Sequence, residues 1–289
     1  MDIPKLQAHN TKLSLNCRGK LLVLSQPAVM GILNVTPDSF FEGSRMRALD
    51  DLLKKAENML AQGATFIDIG GYSTRPGAAE VAIDDEISRV VPAVEHLHKN
   101  LPEAVLSIDT FRAKVAKYAI EAGAHIINDI SSGEDDADML STVTALGAVP
   151  YIMMHKRGTP QTMQQFTQYT DVTLDVLEYF NQKIAAAKQA GIIDLIVDPG
   201  FGFAKTQEQN YKLLKQLHHF HVTGLPILVG VSRKKMIQNI THTDAAGALN
   251  GTSVVNTIAL LNGAQILRVH DVKEAIECIN IVKATYGNF

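Results

Sequence analysis

Short apolar runs alternate along the chain with longer segments in which apolar residues recur at helical spacing. Each short run is typical of a buried strand, and each longer segment of a helix with one apolar face. The predicted strands cover residues 28–35, 64–69, 104–108, 125–127, 149–153, 195–197, 227–231 and 265–269. The predicted helices cover residues 47–62, 84–99, 112–121, 136–146, 172–190, 207–219, 245–262 and 272–284. Because a helix connects each strand to the next, the strands must be parallel, and eight such units predict a closed (β/α)8 TIM barrel.

Two further short strands, at residues 12–15 and 20–24, come before this repeat. The polar turn at residues 16–19 predicts an N-terminal β-hairpin, which we expect to cover the bottom of the barrel. No linker interrupts the chain, so residues 1–289 are predicted to form a single domain. An open doubly wound sheet is the alternative, but it usually carries a GxGxxG turn after its first strand, where this chain has Thr-Pro-Asp-Ser-Phe.

Composition narrows the class of protein. The 289 residues are 46% hydrophobic with a net charge of −3, which suits one large core and gives no reason to expect a nucleic-acid partner. Cys17 and Cys278 are far apart and form no CxxC pair, so neither a disulfide framework nor a structural zinc site is indicated. The polar N-terminus lacks the apolar core of a signal peptide, and no apolar run reaches the roughly 18 residues of a membrane span. We therefore expect a cytoplasmic protein with no membrane partner.

The second predicted strand ends in an unusual loop, Asp68-Ile-Gly-Gly-Tyr-Ser-Thr-Arg-Pro-Gly77. Gly70 and Gly71 are expected to adopt backbone conformations that other residues resist. Arg75 can bind an anion through two parallel hydrogen bonds. In a TIM barrel the carboxyl ends of the strands meet at one mouth, where active sites lie.

Polar residues, and one methionine, stand at the ends of all eight predicted strands. They are Asn34, Asp68, Arg75, Asp109, Asn128, Asp129, Met154, His155, Asp198, Lys234, Arg268 and His270. A single residue of this kind is often only the cap of the next helix. Twelve around one rim are too many for capping alone, so the set predicts a binding site.

Part of this set suits a flat heterocycle. Asp109, Asn128 and Asp198 offer carboxylate and amide groups that can pair with the ring N–H groups of a pterin or a purine. Lys234 can donate to an oxygen or nitrogen of the same ring. Core packing explains Met154 as well as a stacking contact with the ring does. A hydrogen bond to a neighbouring strand end explains Asp68 as well as a place in the site does.

The remaining residues suit an anion and its metal. Arg75, Arg268 and His270, with the hydroxyl of Thr74, form a group that can bind phosphate or pyrophosphate. Arg268 and His270 lie two apart on one strand and therefore share a face. The side chains of Asn34 and Asp38 supply hard oxygen atoms of the kind that hold Mg²⁺ against a phosphate.

At these residues the chain resembles the dihydropteroate synthases, over nearly its whole length from Gly31 to His270. The matching segments are residues 31–40, 68–77, 107–110, 127–130, 153–155, 198–203, 232–234 and 268–270. The resemblance implies a TIM barrel that condenses 6-hydroxymethyl-7,8-dihydropterin pyrophosphate with p-aminobenzoate. It also implies 7,8-dihydropteroate and pyrophosphate as products, an SN1-like mechanism, Mg²⁺ as cofactor and a place in folate biosynthesis.

The resemblance also assigns roles to individual residues. The implied pterin pocket consists of Asp109, Asn128, Met154, Asp198, Phe203 and Lys234. The implied pyrophosphate site consists of Asn34, Thr74, Arg75, Arg268 and His270, with Mg²⁺ held by Asn34 and Asp38. The implied p-aminobenzoate site consists of Phe40, Thr74, Pro76 and Lys235. The implied catalytic residues are Asp109, Asp198, Lys234, Arg268 and His270.

One position departs from the family pattern. Many members carry serine where this chain has Lys235, beside the carboxylate of p-aminobenzoate. A lysine there could bind that carboxylate or point to solvent, so this position bears on p-aminobenzoate and on the sulfonamides expected to compete with it. Family members are usually homodimers, and the apolar predicted helix at 245–262 is a plausible contact, although burial against the barrel explains it equally well.

Two alternatives remain at this stage. A methyltransferase barrel that uses a methylated folate would keep the pterin site but would not need the anion group. A non-catalytic pterin-binding subunit would be expected to lose part of that group.

If the pterin pocket and the pyrophosphate site are separate, Arg268→Ala should abolish turnover and leave pterin binding largely intact.

Overall fold

A computed structural model describes residues 13–35, 45–72, 81–159 and 161–287. Its first element is the predicted hairpin, formed by β1 (Leu13–Cys17) and β2 (Lys20–Leu24) as an antiparallel pair. Arg18 and Gly19 connect them, both with positive φ (53° and 92°). Two successive left-handed residues make the tight turn whose twist matches that of paired strands.

Eight parallel strands form the predicted barrel. They are β3 (Ala28–Asn34), β4 (Phe66–Gly70), β5 (Val105–Asp109), β6 (Ile126–Asp129), β7 (Tyr151–Met154), β8 (Leu195–Asp198), β9 (Leu228–Val229) and β10 (Ile266–Val269). Their order in the sheet is β8-β7-β6-β5-β4-β3-β10-β9. A parallel bridge between Val197 and Ile227 joins β8 to the start of β9 and closes the ring. The barrel prediction is confirmed over the open sheet.

Helices surround this ring. They are α1 (Arg45–Ala61), α2 (Ile83–Asn100), α3 (Ala113–Glu121), α4 (Met139–Leu146), α5 (Val172–Gln189), α6 (Gln207–Lys215), α7 (Lys235–Thr241), α8 (Leu249–Leu261) and α9 (Val272–Tyr286). Within the described ranges, no helix has both the length and the apolarity needed to cross a membrane.

The largest differences from prediction lie around α7 and α8. The short helix α7 was not predicted, and the helix expected at 245–262 begins only at Leu249. The side chain of Asp244 accepts a hydrogen bond from the Gly247 N–H at 2.9 Å, so these residues form a turn instead of the first turn of the helix. Farther back, the helix predicted to end at residue 219 ends at Lys215 and continues as a 3₁₀-helix, Leu217–Thr223.

The barrel interior changes from apolar to polar along the strands. The lower layer is apolar and consists of Phe66, Val105, Ile126, Ile152, Ile196, Leu228 and Ile266. Leu15, Cys17 and Leu24 of the hairpin pack into the same cluster, so the hairpin closes the bottom as predicted. Two residues farther along each strand the side chain returns to the same face. Those positions are Asp68, Ser107, Asn128, Met154, Asp198, Gly230 and Arg268.

Candidate active site

Four adjacent strands bring polar groups into register at the mouth of the barrel. Asn34 pairs with Gly70, Gly70 with Asp109, and Asp109 with Asn128. A Cβ atom on Gly70 would lie 3.6 Å from Asn34 Oδ1 and 3.8 Å from Asp109 Oδ2. The absence of a side chain at Gly70 therefore leaves room between the Asn34 and Asp109 side chains.

Beneath this row, Asp68 holds two predicted site residues. Its fully buried Oδ2 accepts hydrogen bonds from Arg268 Nε at 2.6 Å and from Asn128 Nδ2 at 3.0 Å. Arg268 Nη2 donates in addition to Asp109 Oδ2 at 2.5 Å. The guanidinium thus lies between two carboxylates, among the residues predicted to bind the heterocycle. The sequence alone left open whether Asp68 belongs to the site or only bonds to a neighbouring strand end. Asp68 and Gly70 lie two residues apart on β4, so they share the inward face.

These contacts shape the electrostatics of the mouth. Burial raises the pKa of Asp109 to about 7, and the nearby Arg268 opposes that rise. Burial alone would lower the pKa of the Arg268 guanidinium, but Asp68 and Asp109 outweigh it and raise that pKa. At neutral pH Arg268 is therefore a fixed cation beside a carboxyl group that titrates near neutrality.

The other side of the mouth carries Asp198 and Lys234. Burial raises the pKa of Asp198, whose Oδ1 accepts a hydrogen bond from the Gly200 N–H at 2.8 Å. Burial lowers the pKa of Lys234 to about 8, against the opposing effect of Asp198. Lys234 Nζ lies 2.5 Å from the Phe201 carbonyl oxygen and 4.8 Å from the centre of the Phe203 ring.

A glycine separates Asp198 from Arg268. A Cβ atom on Gly230 would lie 3.9 Å from Asp198 Oδ2 and 3.9 Å from Arg268 Cβ. Met154 pairs in register with Asp198 and is 3% exposed. The structure thus places all the residues of the predicted pterin pocket at this end of the barrel.

The end of β9 is tied to the end of β10. Ser232 Oγ lies 3.0 Å from His270 Nδ1 and accepts a hydrogen bond from the His270 N–H at 3.2 Å. Arg233, in a left-handed conformation with φ 56°, donates to both carboxylate oxygens of Asp271 at 2.8 Å. These contacts hold the segment that leads to Lys234 against the segment that carries His270. Lys235 is exposed at the first residue of α7.

Several predicted residues lie outside the part of the chain that the structure describes. They are Asp38, Phe40, Thr74, Arg75 and Pro76. Among the described residues, no group of three or more His, Cys, Asp or Glu side chains is arranged to hold a metal ion.

The reason predicted for Gly70 and Gly71 is wrong. Neither has the positive φ that only glycine adopts easily. Gly71 is glycine for lack of space instead, because a Cβ atom there would lie 2.5 Å from Val90 Cγ1 on α2.

Asp129, another rim residue, stabilises the loop after β6. Its carboxylate accepts hydrogen bonds from the Ser131 N–H, the Gly133 N–H and the Tyr151 hydroxyl at 2.6–2.7 Å.

Comparison with known proteins places this site in a family. The family model described as "Pterin binding enzyme" matches residues 30–270. A dihydropteroate synthase of Escherichia coli strain K12 is 45% identical over 275 residues, which cover 94% of this chain and 96% of that protein. A solved structure of the Yersinia pestis dihydropteroate synthase with a sulfonamide drug has a TM-score of 0.88 at 45% identity, covering 94% of this chain and 99% of that one. The Xanthomonas albilineans dihydropteroate synthase with 4-aminobenzoic acid has a TM-score of 0.87 at 36% identity, covering 95% and 98%.

Proposed function

The chain belongs to the pterin-binding enzymes and, among them, to the dihydropteroate synthases, and from that premise we propose how its residues carry the reaction. It is a transferase of folate synthesis that condenses 6-hydroxymethyl-7,8-dihydropterin pyrophosphate with p-aminobenzoate, giving 7,8-dihydropteroate and pyrophosphate. The methyltransferase and binding-subunit alternatives are not favoured, because relatives 40–45% identical carry the name of the synthase.

Two carboxylates near one cation support the proposed pterin pocket. Asp109 touches Arg268, and Asp198 lies across Gly230 from the stem of the same arginine. In this proposal Asp109, Asn128 and Asp198 accept from and orient the N–H groups of the pterin, and Lys234 donates to its ring. Gly230 leaves space for the flat ring, with Met154 and Phe203 packing beside it.

The pyrophosphate is proposed to bind above this ring. Arg268 uses two of its five N–H groups on Asp68 and Asp109, so its other donors can bind an anion. His270, Asn34, Thr74 and Arg75 complete the proposed anion site. Asn34 is exposed at the mouth, and its amide oxygen has the hard character that Mg²⁺ prefers. Asn34 and Asp38 would hold Mg²⁺, which when bound neutralises charge on the phosphate oxygens.

The proposed reaction is SN1-like. The bond between the pterin methylene carbon and the pyrophosphate oxygen breaks first, and the electron pair leaves with pyrophosphate. Asp109 and Asp198 stabilise the positive charge that develops on the pterin, while Arg268 and His270 stabilise the leaving anion. The amine nitrogen of p-aminobenzoate then attacks the methylene and releases a proton to solvent. That amine is already neutral at pH 7, so the step needs no strong base.

The p-aminobenzoate is proposed to bind beside the exposed end of this pocket. Phe40, Thr74, Pro76 and Lys235 would frame it, and sulfonamides would compete for the same place. Lys235 lies next to Lys234 and is exposed, so its ammonium group can reach a carboxylate at the mouth.

Pyrophosphate release tests this function directly. Formation of dihydropteroate together with pyrophosphate should require both substrates and Mg²⁺, and chromatography should identify the dihydropteroate. Asp198→Asn should reduce it sharply, whereas Asp84→Asn, which alters a surface carboxylate paired with Lys114, should not. Tight pterin binding without condensation by the unmodified protein would refute the proposed activity and leave only a binding function.

We also propose a cytoplasmic homodimer. Val254 and Ile258 of α8 and Ile281 of α9 are apolar side chains that are 52%, 36% and 66% exposed. A second copy packed on these helices would remove them from water. Light scattering should give twice the monomer mass, and Val254→Glu combined with Ile281→Glu should give the monomer.

A further inference from the structure

A buried lysine behind the pterin pocket makes contacts that the reaction does not explain. Lys205 is 3% exposed and follows the turn that connects β8 to α6. Its Nζ lies 2.9 Å from His155 Nδ1 and donates to the carbonyl oxygens of Gly200 at 3.0 Å and Phe203 at 3.1 Å. Burial lowers the pKa of Lys205 well below its ordinary value, and these three neighbours supply one acceptor for each N–H group of the protonated amine. Burying such a group is costly unless it is paired in this way.

The turn that Lys205 holds is conformationally demanding. Gly200, Gly202 and Ala204 all have positive φ, at 72°, 81° and 50°. An alanine in this region is strained, and strain of this kind persists only where surrounding contacts fix the backbone. The Tyr169 hydroxyl donates to the Ala204 carbonyl at 2.9 Å, and Asn210 accepts from the Gly202 N–H at 2.7 Å. External side chains therefore impose the shape of the turn.

His155 joins this turn to the neighbouring strand end. Its backbone N–H donates to the Asp198 carbonyl at 3.0 Å. A Cβ atom on Gly200 would lie 1.9 Å from the His155 carbonyl oxygen, so the two backbones are in direct contact. The His155 ring is 1% exposed and packs edge-on against Tyr179, with ring centres 4.8 Å apart. Burial lowers the pKa of His155 well below its ordinary value, so the ring is neutral at pH 7 and its Nδ1 can accept from Lys205.

The same turn shapes the pterin pocket from its other side. Its Gly200 N–H binds the Asp198 carboxylate, its Phe201 carbonyl contacts Lys234, and its Phe203 ring lies below the Lys234 ammonium group. A shift of the turn would therefore move three groups of the pocket together.

We propose that Lys205 and His155 are a positioning pair that fixes the turn at residues 200–204 against the end of β7. The pair thereby sets the geometry with which Asp198, Phe203 and Lys234 receive the pterin. The inference rests on the proposed assignment of these three residues to the pterin. Neither Lys205 nor His155 touches the substrate in this scheme.

Lys205→Met tests the pair because it keeps the length of the side chain and removes its donors. Binding of 6-hydroxymethyl-7,8-dihydropterin, measured by calorimetry, should weaken by roughly tenfold or more, since a small displacement of binding groups carries a large cost. The KM of p-aminobenzoate at saturating pterin pyrophosphate should stay within about twofold. Lys212→Met is the matched control, because it removes an exposed lysine paired with Asp171, the N-cap residue of α5. It should leave both values unchanged.

The outcomes separate positioning from general stability. Unchanged pterin affinity in folded Lys205→Met would overturn the proposal. It would also be overturned if pterin affinity fell and the KM of p-aminobenzoate rose by the same factor while the melting temperature dropped. If Lys205→Met does not fold, His155→Phe decides by the same criteria, because it keeps the ring and removes the Nδ1 acceptor. Absence of condensation by the unmodified protein would instead contradict the proposed function, and pterin affinity would still test the pair.

Discussion

Replacing Arg268 with methionine should change the pH at which the enzyme works. The substitution keeps most of the apolar stem and removes the guanidinium that donates to Asp68 at 2.6 Å and to Asp109 at 2.5 Å. Burial already raises the pKa of Asp109 to about 7, and Arg268 holds it from rising further. Without the cation that pKa must rise, so at pH 7 the carboxyl group becomes mostly protonated.

The size of the change follows from the geometry of the pair. Two unit charges about 4 Å apart attract by about 4 kcal/mol at an effective dielectric constant of about 20. The Arg268 side chain is 21% exposed, so solvent screens part of that attraction. We expect about 1.4 to 3 kcal/mol to be lost, which moves the apparent pKa of Asp109 upward by about one to two.

The assay is the pH profile of kcat/KM for the pterin pyrophosphate. If the ionised Asp109 stabilises the cationic pterin, the activity of the unmodified enzyme falls as the pH drops through about 7. In Arg268→Met this acidic limb should appear at higher pH, and activity at pH 7 should fall further because the pyrophosphate loses a donor. Calorimetry at pH 7 should also show weaker binding of the free pterin.

Arg268→Lys is the matched control because it keeps the charge and loses the paired hydrogen bonds. Its acidic limb should shift less than that of Arg268→Met. An acidic limb that stays in place in Arg268→Met would refute the coupling between Arg268 and Asp109. Equal shifts in the two variants would show that hydrogen-bond geometry, and not charge, sets the pKa.

Other predictions concern separate parts of the molecule. Asp198→Asn should weaken pterin binding by about tenfold to a hundredfold in calorimetry, since a hydrogen bond to a charged group contributes about 1.5–3 kcal/mol; unchanged affinity would remove Asp198 from the pocket. Removing Mg²⁺ with a chelator should stop pyrophosphate release reversibly and leave binding of the free pterin intact, and activity that persists would argue against the metal. Lys235→Ser should change the KM of p-aminobenzoate and the sulfonamide inhibition constant but not the KM of the pterin substrate; constant values would mean that Lys235 faces solvent. Leu15→Ala, at 1% exposure in the hairpin plug, should lower the free energy of unfolding in urea by about 2–4 kcal/mol with normal KM values, whereas the same change at exposed Leu21 should have little effect.

The Arg268 prediction differs from the one that sequence supports. From the sequence alone, Arg268 belongs with the anion-binding residues, so its loss should spare the pterin. The structure joins it to Asp68 and Asp109, and its loss should therefore affect both halves of the site.

The alternation of apolar and polar positions was enough to predict the barrel, the hairpin and the strand ends that form the mouth. These features depend on local patterns, because a short continuous apolar run gives a buried strand and a helical period gives a helix. Among the described residues, the sequence also predicted which polar side chains stand at the ends of the strands, since parallel strands place their carboxyl ends together.

Tertiary structure decided which of those residues touch. Asp68 lies 200 residues before Arg268, and Lys205 lies 50 residues after His155. No local pattern encodes such pairs, because register between strands and the path of a side chain across a barrel depend on the packing of all eight strands. The same holds for Gly71, whose lack of a side chain is required by Val90 on a neighbouring helix and not by its own backbone. Sequence thus determined the elements and the inventory of the site, and packing determined its hydrogen bonds and pKa values, because these depend on distances that only the closed barrel fixes.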